Sequence, residues 1–550
     1  MSKKVRSQKR STEYRQANFF LITAGYMLLF YIFLLLCLYP FLIEPGYAVT
    51  SRVKFGFLMA VSYGFKAGPL RIPAFVPLIL LFILTGTIIY IKRPGKGVRQ
   101  FAGTLRFSST DIMVGLYGFF VLVSALITPY RDDILWGYTS WYMGLASQFL
   151  FIVLYFTASR FFDMDNLKGL VYVSFVSSSI VFIIGILQRF GADIFDLYQG
   201  LEEKSFISTI GQHTFFSSYM ILFLMTGIFA VWISDPGSAM HRAAAVYLVI
   251  ASCMCCVLNA DMAFSGLFIA MSFLFVISFD SIERMKDFIE ASLIILVTWR
   301  ITGLVWYLVK PEFPLEDIPV FLMQSDYMWI LIALMAVIYV LIRRKAREKI
   351  RYDISGYRYL GYIYTGLVVI AIAGLAVYII LNTKQILPEK FRSDANYLLF
   401  NARWGNGRGA NWHDSVLSYL NEWKSSPVRA LFGAGPDQFN HVLDDYVHDW
   451  MSTLTSRVAT NAHNEWLTAF INYGLFGGGA YLGIFVSSIV RGVRNRKSVP
   501  VALGVGLIAL AHFAHQLFGY QQFINAPYIF LILGIGEQAV RSGPEQGPSS

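Results

Sequence analysis

Four of the eight histidines in this 550-residue chain, His413, His441, His448 and His463, fall in one stretch between Asn382 and Glu465. Arg392, Arg403, Arg408, Arg429 and Arg457 lie in the same stretch. Arginine carries a planar, permanently charged fork that pairs bidentately with phosphate or carboxylate oxygens. Histidine, with an ordinary pKa near about 6.5, can take a proton from a hydroxyl. The two together offer anion binding beside a base. Part of that arginine charge has partners nearby, since Asp394, Asp414, Glu422, Asp437, Asp444, Asp445, Asp449 and Glu465 nearly balance it, and ordinary ion pairing competes for every arginine. The densest polar group is in TNAHNEWLTAFINYG, residues 460–474, where Asn461, His463, Asn464 and Glu465 run directly into an apolar stretch.

The elements that must position these residues are membrane helices. The chain is 56% hydrophobic and only 14% charged, against roughly 25% charged in a soluble chain. Its apolar residues come in blocks of the length that spans a bilayer, about 20 residues. The expected fold is an all-α polytopic integral membrane protein with about 14 transmembrane helices. The expected spans are 18–43, 73–91, 110–129, 143–160, 168–188, 213–233, 242–259, 262–279, 288–309, 326–342, 360–381, 466–490, 499–519 and 525–540. The first is too long for a signal core and lacks a small-residue cleavage site.

Charge supports this register. Basic residues mark cytoplasmic loops. They cluster in the tail at Lys3, Lys4, Arg6, Lys9, Arg10 and Arg15, then after span two at Lys92, Arg93, Lys96, Arg99 and Arg106. They recur after span ten from Arg343 to Arg358 and after span twelve at Arg491, Arg494, Arg496 and Lys497. All fall on one side, so the net charge of +11 reads as a topology signal and not as a nucleic-acid footprint. The chain divides into a basic cytoplasmic tail (1–17), spans one to eleven (18–381), a large external loop (382–465), spans twelve to fourteen (466–541) and a disordered tail (542–550). A loop of roughly 80 residues far exceeds the usual connection and is expected to hold short helices and the working site.

Within that loop Asn411 to Ser425 reads as an amphipathic helix with Trp412, Val416, Leu420 and Trp423 on one side. Such a stripe either lies at the headgroup level or packs on the rest of the loop. Gly433-Ala-Gly435-Pro-Asp437 lets backbone amides approach a ligand. Cys37, Cys253, Cys255 and Cys256 sit in expected spans and read as small buried apolar residues, with no metal-ligand spacing. Asp163-Met-Asp165 falls in a short loop on the cytoplasmic side and reads as solvated, so no metal and no cofactor is expected.

Taken in order, Arg408-x-x-x-Trp412, Pro427, Gly433-x-Gly435-Pro-x-x-Phe439, Ala462-His463-Asn464-Glu465-x-Leu467 and Tyr473-Gly474-Leu475-x-Gly477 resemble the signature of the O-antigen ligase and polymerase superfamily. These membrane glycosyltransferases include bacterial protein O-oligosaccharyltransferases. Upstream, Gln188-Arg189-Phe190-Gly191-Ala-Asp193 is similar to the family's Q-x-x-G-x-D segment, and Gly211-Gln-His213-Thr-Phe215 to the start of one of its spans. Gly137-Tyr-Thr-Ser-Trp141-Tyr-Met-Gly144-Leu145 follows a family pattern except that Trp141 stands where that pattern has arginine. Asn259-Ala-Asp261 likewise lacks the arginine many members carry at a mid-protein span. The strong part of the resemblance covers Arg408 to Gly477.

The resemblance implies transfer of a glycan from a polyprenyl-diphosphate carrier to a glycan, lipid or protein hydroxyl, on the external face of a bacterial plasma (inner) membrane. Both termini would then be cytoplasmic. It implies His463 as general base, with Asn464 or Glu465 orienting it, and Arg408 as the first candidate to bind the donor diphosphate, followed by Arg429 and Arg189. His213 and Trp412 are supporting candidates. Each has a plainer alternative. His463 can hydrogen-bond the start of span twelve, Arg408 can pair with Asp414 or Glu422, and Arg189 can reach to headgroups. His413, His441 and His448 read as surface residues. The competing functions are a polysaccharide flippase or transporter and a non-catalytic member of a surface-glycan assembly complex. A transporter would show repeated halves and midplane charge, and neither is visible.

Overall fold

A computed structural model describes residues 3–44, 47–67, 70–91, 106–197, 206–347, 354–447 and 459–543. Lys92, Arg93, Lys96, Arg99, Lys349, Arg351, His448, Asp449, Arg457 and the expected tail beyond residue 543 lie outside the described residues. The described helices are α1 (Lys3–Cys37), α2 (Tyr47–Tyr63), α3 (Phe75–Ile91), α4 (Ser109–Ile127), α5 (Leu145–Phe161), α6 (Leu167–Arg189) and α7 (His213–Ile233). They continue with α8 (Ala239–Val257), α9 (Asp261–Ser278), α10 (Ile282–Val309), α11 (Asp317–Gln324), α12 (Tyr327–Arg347) and α13 (Arg358–Thr383). The last are α14 (Trp404–Ser425), α15 (Pro427–Phe432), α16 (Phe439–Tyr446), α17 (Glu465–Asn495), α18 (Pro500–His515) and α19 (Ala526–Ser542). Two small antiparallel hairpins, β1 (Phe65–Ala67) with β2 (Leu70–Ile72) and β3 (Phe206–Ile207) with β4 (Gly211–Gln212), are the described sheet.

This is a multi-pass, all-α membrane protein. Ten helices among the described residues are long and apolar enough to cross a bilayer. Of the remaining expected spans, Phe75–Ile89, Leu145–Phe161 and Pro500–His515 are shorter apolar helices, and α19 has 17 residues and carries Glu537. The clearest sign of lipid is the segment Ser355–Thr383. Its mean hydropathy is 2.4, yet none of its most apolar stretch is buried in the protein. Water would make such a surface unstable.

Helix α2 lies outside every expected span. It packs against the short 3-10 helix Tyr39–Phe41 that follows α1, where the Lys54 ammonium donates to the Tyr39 and Pro40 carbonyls at 2.9 Å each. A buried cation thus satisfies the open carbonyl end of a helix. At the other end of the chain, α17 runs on to Asn495, so Arg491 and Arg494 belong to a helix and not to a loop.

Helix α17 lies along α4 and α18, and α19 along α5. At Gly474 the backbone of α17 leaves helical geometry, with φ 70° and ψ −174°. Two carbonyls just before the break are taken up from outside the helix. Ala434 N–H donates to the Ile471 carbonyl at 3.1 Å and Gly435 N–H to the Asn472 carbonyl at 2.9 Å. The Gly-x-Gly-Pro turn therefore spends its amides on α17 and does not offer them to a ligand. Approach is close on both sides. A Cβ on Gly474 would meet Leu431 backbone at 2.4 Å, and one on Gly433 would meet Tyr473 Cα at the same distance.

Helix α14 begins at Trp404, seven residues before its expected start, and ends where Pro427 follows Ser426. Its polarity is inverted. Asp414, Ser415, Ser418 and Glu422 are buried, while Val416, Leu417, Leu420 and Trp423 are exposed. Of the expected stripe, Val416, Leu420 and Trp423 are thus exposed among the described residues, and Trp412 is half-buried.

Gly474→Ala should lower the thermal midpoint in detergent by several degrees, since a non-glycine residue forced into such a conformation costs about 1–3 kcal/mol. Gly479→Ala, where an added Cβ meets nothing within 4 Å, is the control in the same melting experiment. Equal midpoints for both variants would refute the close-approach account.

Candidate functional site

Four segments distant in sequence deliver polar side chains to the end of the bundle where α17 begins. Gln188, in the last turn of α6, accepts from Ser208 N–H at 2.7 Å, and Ser208 Oγ donates to the Val181 carbonyl at 2.6 Å. These bonds hold the β3–β4 hairpin against α6. They set Arg189, the last residue of α6, within electrostatic reach of His213, the first residue of α7. Arg189 is 2% exposed and its guanidinium lies 3.6 Å over the Phe313 ring.

Arg408 stands in α14. Its Nε donates to the Phe518 carbonyl at 3.1 Å and its terminal nitrogen to the Gly405 carbonyl at 2.7 Å. Among the described residues it makes no ion pair. Asp414, one expected competitor, contacts His413 at 3.0 Å, and Glu422, the other, contacts Arg429 at 2.9 Å. Among the described residues Arg408 is therefore a half-buried charge held by carbonyl dipoles. Its field reaches His213, His463 and His515.

His463 precedes α17 at a φ of 50°, and its backbone N–H donates to Asn461 Oδ1 at 2.8 Å. A non-glycine residue with positive φ is uncommon and draws notice. The imidazole packs edge-on against Tyr520 at 5.0 Å. Burial first, then Arg408 and His213, push its pKa down to about 3.

Asn464 and Glu465, expected to orient the imidazole, bond to backbone groups among the described residues. Asn464 caps α17, accepting from Trp466 N–H at 3.0 Å and Leu467 N–H at 3.2 Å. Glu465 accepts from Gln521 N–H at 2.8 Å, and its own N–H donates to the Gln516 carbonyl at 3.0 Å. Among the described residues neither side chain bonds the imidazole, and Tyr520 is what the ring rests against. Both residues instead lock α17 and the 516–525 turn in place.

Arg429 is not with the others. Glu422, Asp445 and the Tyr130 hydroxyl surround it, the last at 2.6 Å. An arginine facing two carboxylates has less charge left for a diphosphate than Arg408 has. His413 has its side chain 62% exposed, and His441 stacks on Tyr130 at 5.0 Å. Trp412 packs on Trp404 at 5.0 Å and Phe518 at 5.8 Å. With Phe400, Val416, Leu417, Leu420, Asn464 and Leu467 it lines an open, mostly apolar cavity of about 510 Å³. Among the described residues no group of three His, Cys, Asp or Glu is arranged to hold a metal ion.

The residues that sequence reasoning missed are Phe518, Tyr520 and Gln521, in the turn between α18 and α19. Gly519-Tyr-Gln-Gln between two apolar stretches was the available signal, because amides at a span boundary need a reason. No protein-family model matches the chain, and no curated protein matches its sequence.

The arrangement sets an arginine with no ion pair among the described residues beside a neutral imidazole. Protonating His463 adds a positive charge next to Arg408, so the folded protein refuses the proton that an unfolded chain accepts below about pH 6.5. His463 thus contributes a loss of stability as pH falls below that value. Histidine-selective NMR in nanodiscs, with His463→Gln for assignment, should show no titration of His463 between pH 5 and 8. Adding inorganic pyrophosphate should raise its pKa, because the anion cancels the field of Arg408. A free-protein midpoint near 6.5 would contradict this account.

Proposed function

We propose that the protein is a membrane glycosyltransferase that moves a glycan from a polyprenyl-diphosphate carrier to a hydroxyl of a glycan, lipid or protein acceptor. One observation carries the reading: Arg408, free of any carboxylate among the described residues, stands beside His463 near an apolar cavity. A lipid diphosphate matches that pairing of charge and apolar surface. In this reading the four shorter helices also cross, fourteen crossings in all; the positive-inside rule favours cytoplasmic termini and an external site, and the family resemblance favours a bacterial plasma membrane. The exposed stripe of α14 then lies at the headgroup level.

In the reaction the acceptor oxygen forms a bond to the anomeric carbon. The bond from that carbon to the diphosphate oxygen breaks, and the electron pair leaves with the polyprenyl diphosphate. Arg408, together with Arg189, stabilises charge gathering on the departing group, which is the largest contribution such a site can make. His463 takes the acceptor proton. The bound diphosphate offsets the arginine field and so makes the imidazole a stronger base than it is in the empty site. His213 shares the same field. The charge needed is supplied without a cofactor.

A second reading, movement of a glycan lipid across the membrane, is favoured by His512 and His515, both fully buried within the bundle. Ionisable residues inside a membrane often mark pathways.

With lipid-linked oligosaccharide and acceptor extracted from the source membranes, Arg408→Ala and His463→Ala should each reduce glycan transfer by about 10²–10⁴-fold while the protein stays folded. Arg429→Ala should chiefly lower the melting temperature. Undiminished transfer in the first two variants refutes the site. Translocation of the lipid with no glycosidic product supports the second reading, and product sizing separates a polymerase ladder from a single transfer.

A further inference from the structure

Ten non-glycine residues among those described have positive φ, and five belong to one assembly: Asp133, Ser140, Tyr142, Asp437 and His463. Backbone held in sparsely populated conformations persists only where surroundings over-determine it, and it concentrates at ligand clamps and active sites. Three of the five lie in the turn between α4 and α5. Asp437 clasps that turn. Its Oδ2 accepts from Tyr138 N–H at 2.7 Å and from Met143 N–H at 3.1 Å. The glycines at the neck allow nothing larger. A Cβ on Gly137 would meet Asp437 Oδ2 at 2.4 Å, and one on Gly144 would meet Gly137 N at 2.3 Å.

What the clasped turn carries is Trp141. The indole lies edge-on to Tyr520 at 5.0 Å and tilted against Phe215 at 5.7 Å. Phe215 and Tyr520 are 1% and 3% exposed, so they form a sealed floor, while Trp141 itself is only half-buried. Tyr520 is also the ring on which His463 rests. The floor shares its elements with the charges, since Phe215 follows His213 by two residues and Tyr520 follows Phe518, the carbonyl partner of Arg408.

We propose that Trp141, held by the Asp437 clasp, is the platform on which a pyranose ring of the glycan stacks beside His463. The indole face carries the negative end of an aromatic quadrupole, and the C–H groups on one face of a pyranose carry partial positive charge. A diphosphate gains little from a neutral indole, whereas the sugar next to it does. Gln521, directly after Tyr520, has a buried amide nitrogen with no acceptor among the described residues, a donor of the kind sugar hydroxyls use. The inference rests on the glycosyltransferase reading and adds to it a saccharide subsite, with Asp437 as a positioning residue.

The test uses the full-length protein in lipid nanodiscs and three probes. These are farnesyl diphosphate, N-acetylglucosamine joined through diphosphate to farnesol, and methyl β-N-acetylglucosaminide titrated onto protein saturated with farnesyl diphosphate. Trp141→Ala should remove about tenfold of the affinity contributed by sugar and leave farnesyl diphosphate binding unchanged. Trp141→Phe should keep most of it. Asp437→Ala should reproduce the loss, and Asp437→Asn should restore binding because one amide oxygen can still accept both N–H groups. Loss confined to the diphosphate-linked sugar assigns the platform to the donor, and loss confined to the methyl glycoside assigns it to the acceptor. An unchanged sugar contribution in Trp141→Ala, equal weakening of all three probes, or no sugar contribution in the wild type overturns the subsite alone. Wild-type protein that fails to bind either diphosphate overturns the glycosyltransferase reading and the subsite with it.

Discussion

The break in α17 at Gly474 is the constraint on which the site depends. An unbroken helix would use the carbonyls of Ile471 and Asn472 internally and leave the segment after α15 with nothing to dock on. Broken there, it presents them to the amides of Ala434 and Gly435. Two backbone bonds fix the Gly-x-Gly-Pro turn, and Asp437 at its end then reaches the turn between α4 and α5. A single departure from helical geometry thus ties three parts of the chain together. In an apolar surrounding such carbonyls cannot be left unpaired, which makes the docking obligatory and not incidental.

Charge divides the two ends of the bundle. At the end away from His463, arginines are matched to carboxylates: Arg160 and Arg541 to Asp111, Arg491 to Glu537, and Arg358 and Arg496 to Asp280. Asp111 also caps α4 and accepts from the Tyr155 hydroxyl at 3.0 Å. These pairs close a packed end. At the His463 end, Arg408 has carbonyls instead of carboxylates, and His463 is held neutral beside it. Breaking a buried ion pair leaves an uncompensated charge, whereas Arg408 has no such pair among the described residues.

Much of this was legible in the sequence. Blocks of apolar residues placed most of the long helices to within about six residues, although α1 begins at Lys3, well before its expected start, and the family resemblance pointed to His463, Arg408, Arg189 and His213. Spacing failed where burial decides the outcome. The stripe on α14 was visible, but not that its polar side would be the buried one. Arg429 and Arg408 look alike in sequence and differ in the structure only because Glu422 and Asp445 face the first. The turn at Phe518 to Gln521 carries no motif, because its importance comes from the distant residues that pack on it.

The sequence by itself determined that the chain is a helical membrane protein and which residue types are able to bind an anion and accept a proton. Those follow from composition and from the length of apolar runs, both local properties. Only the tertiary structure decided which arginine keeps its charge available, what His463 rests against, and that Trp141 is carried to the same place as both. Those are questions of which groups share a low-dielectric neighbourhood, and positions 141, 189, 213, 408, 463 and 520 meet only after the helices pack.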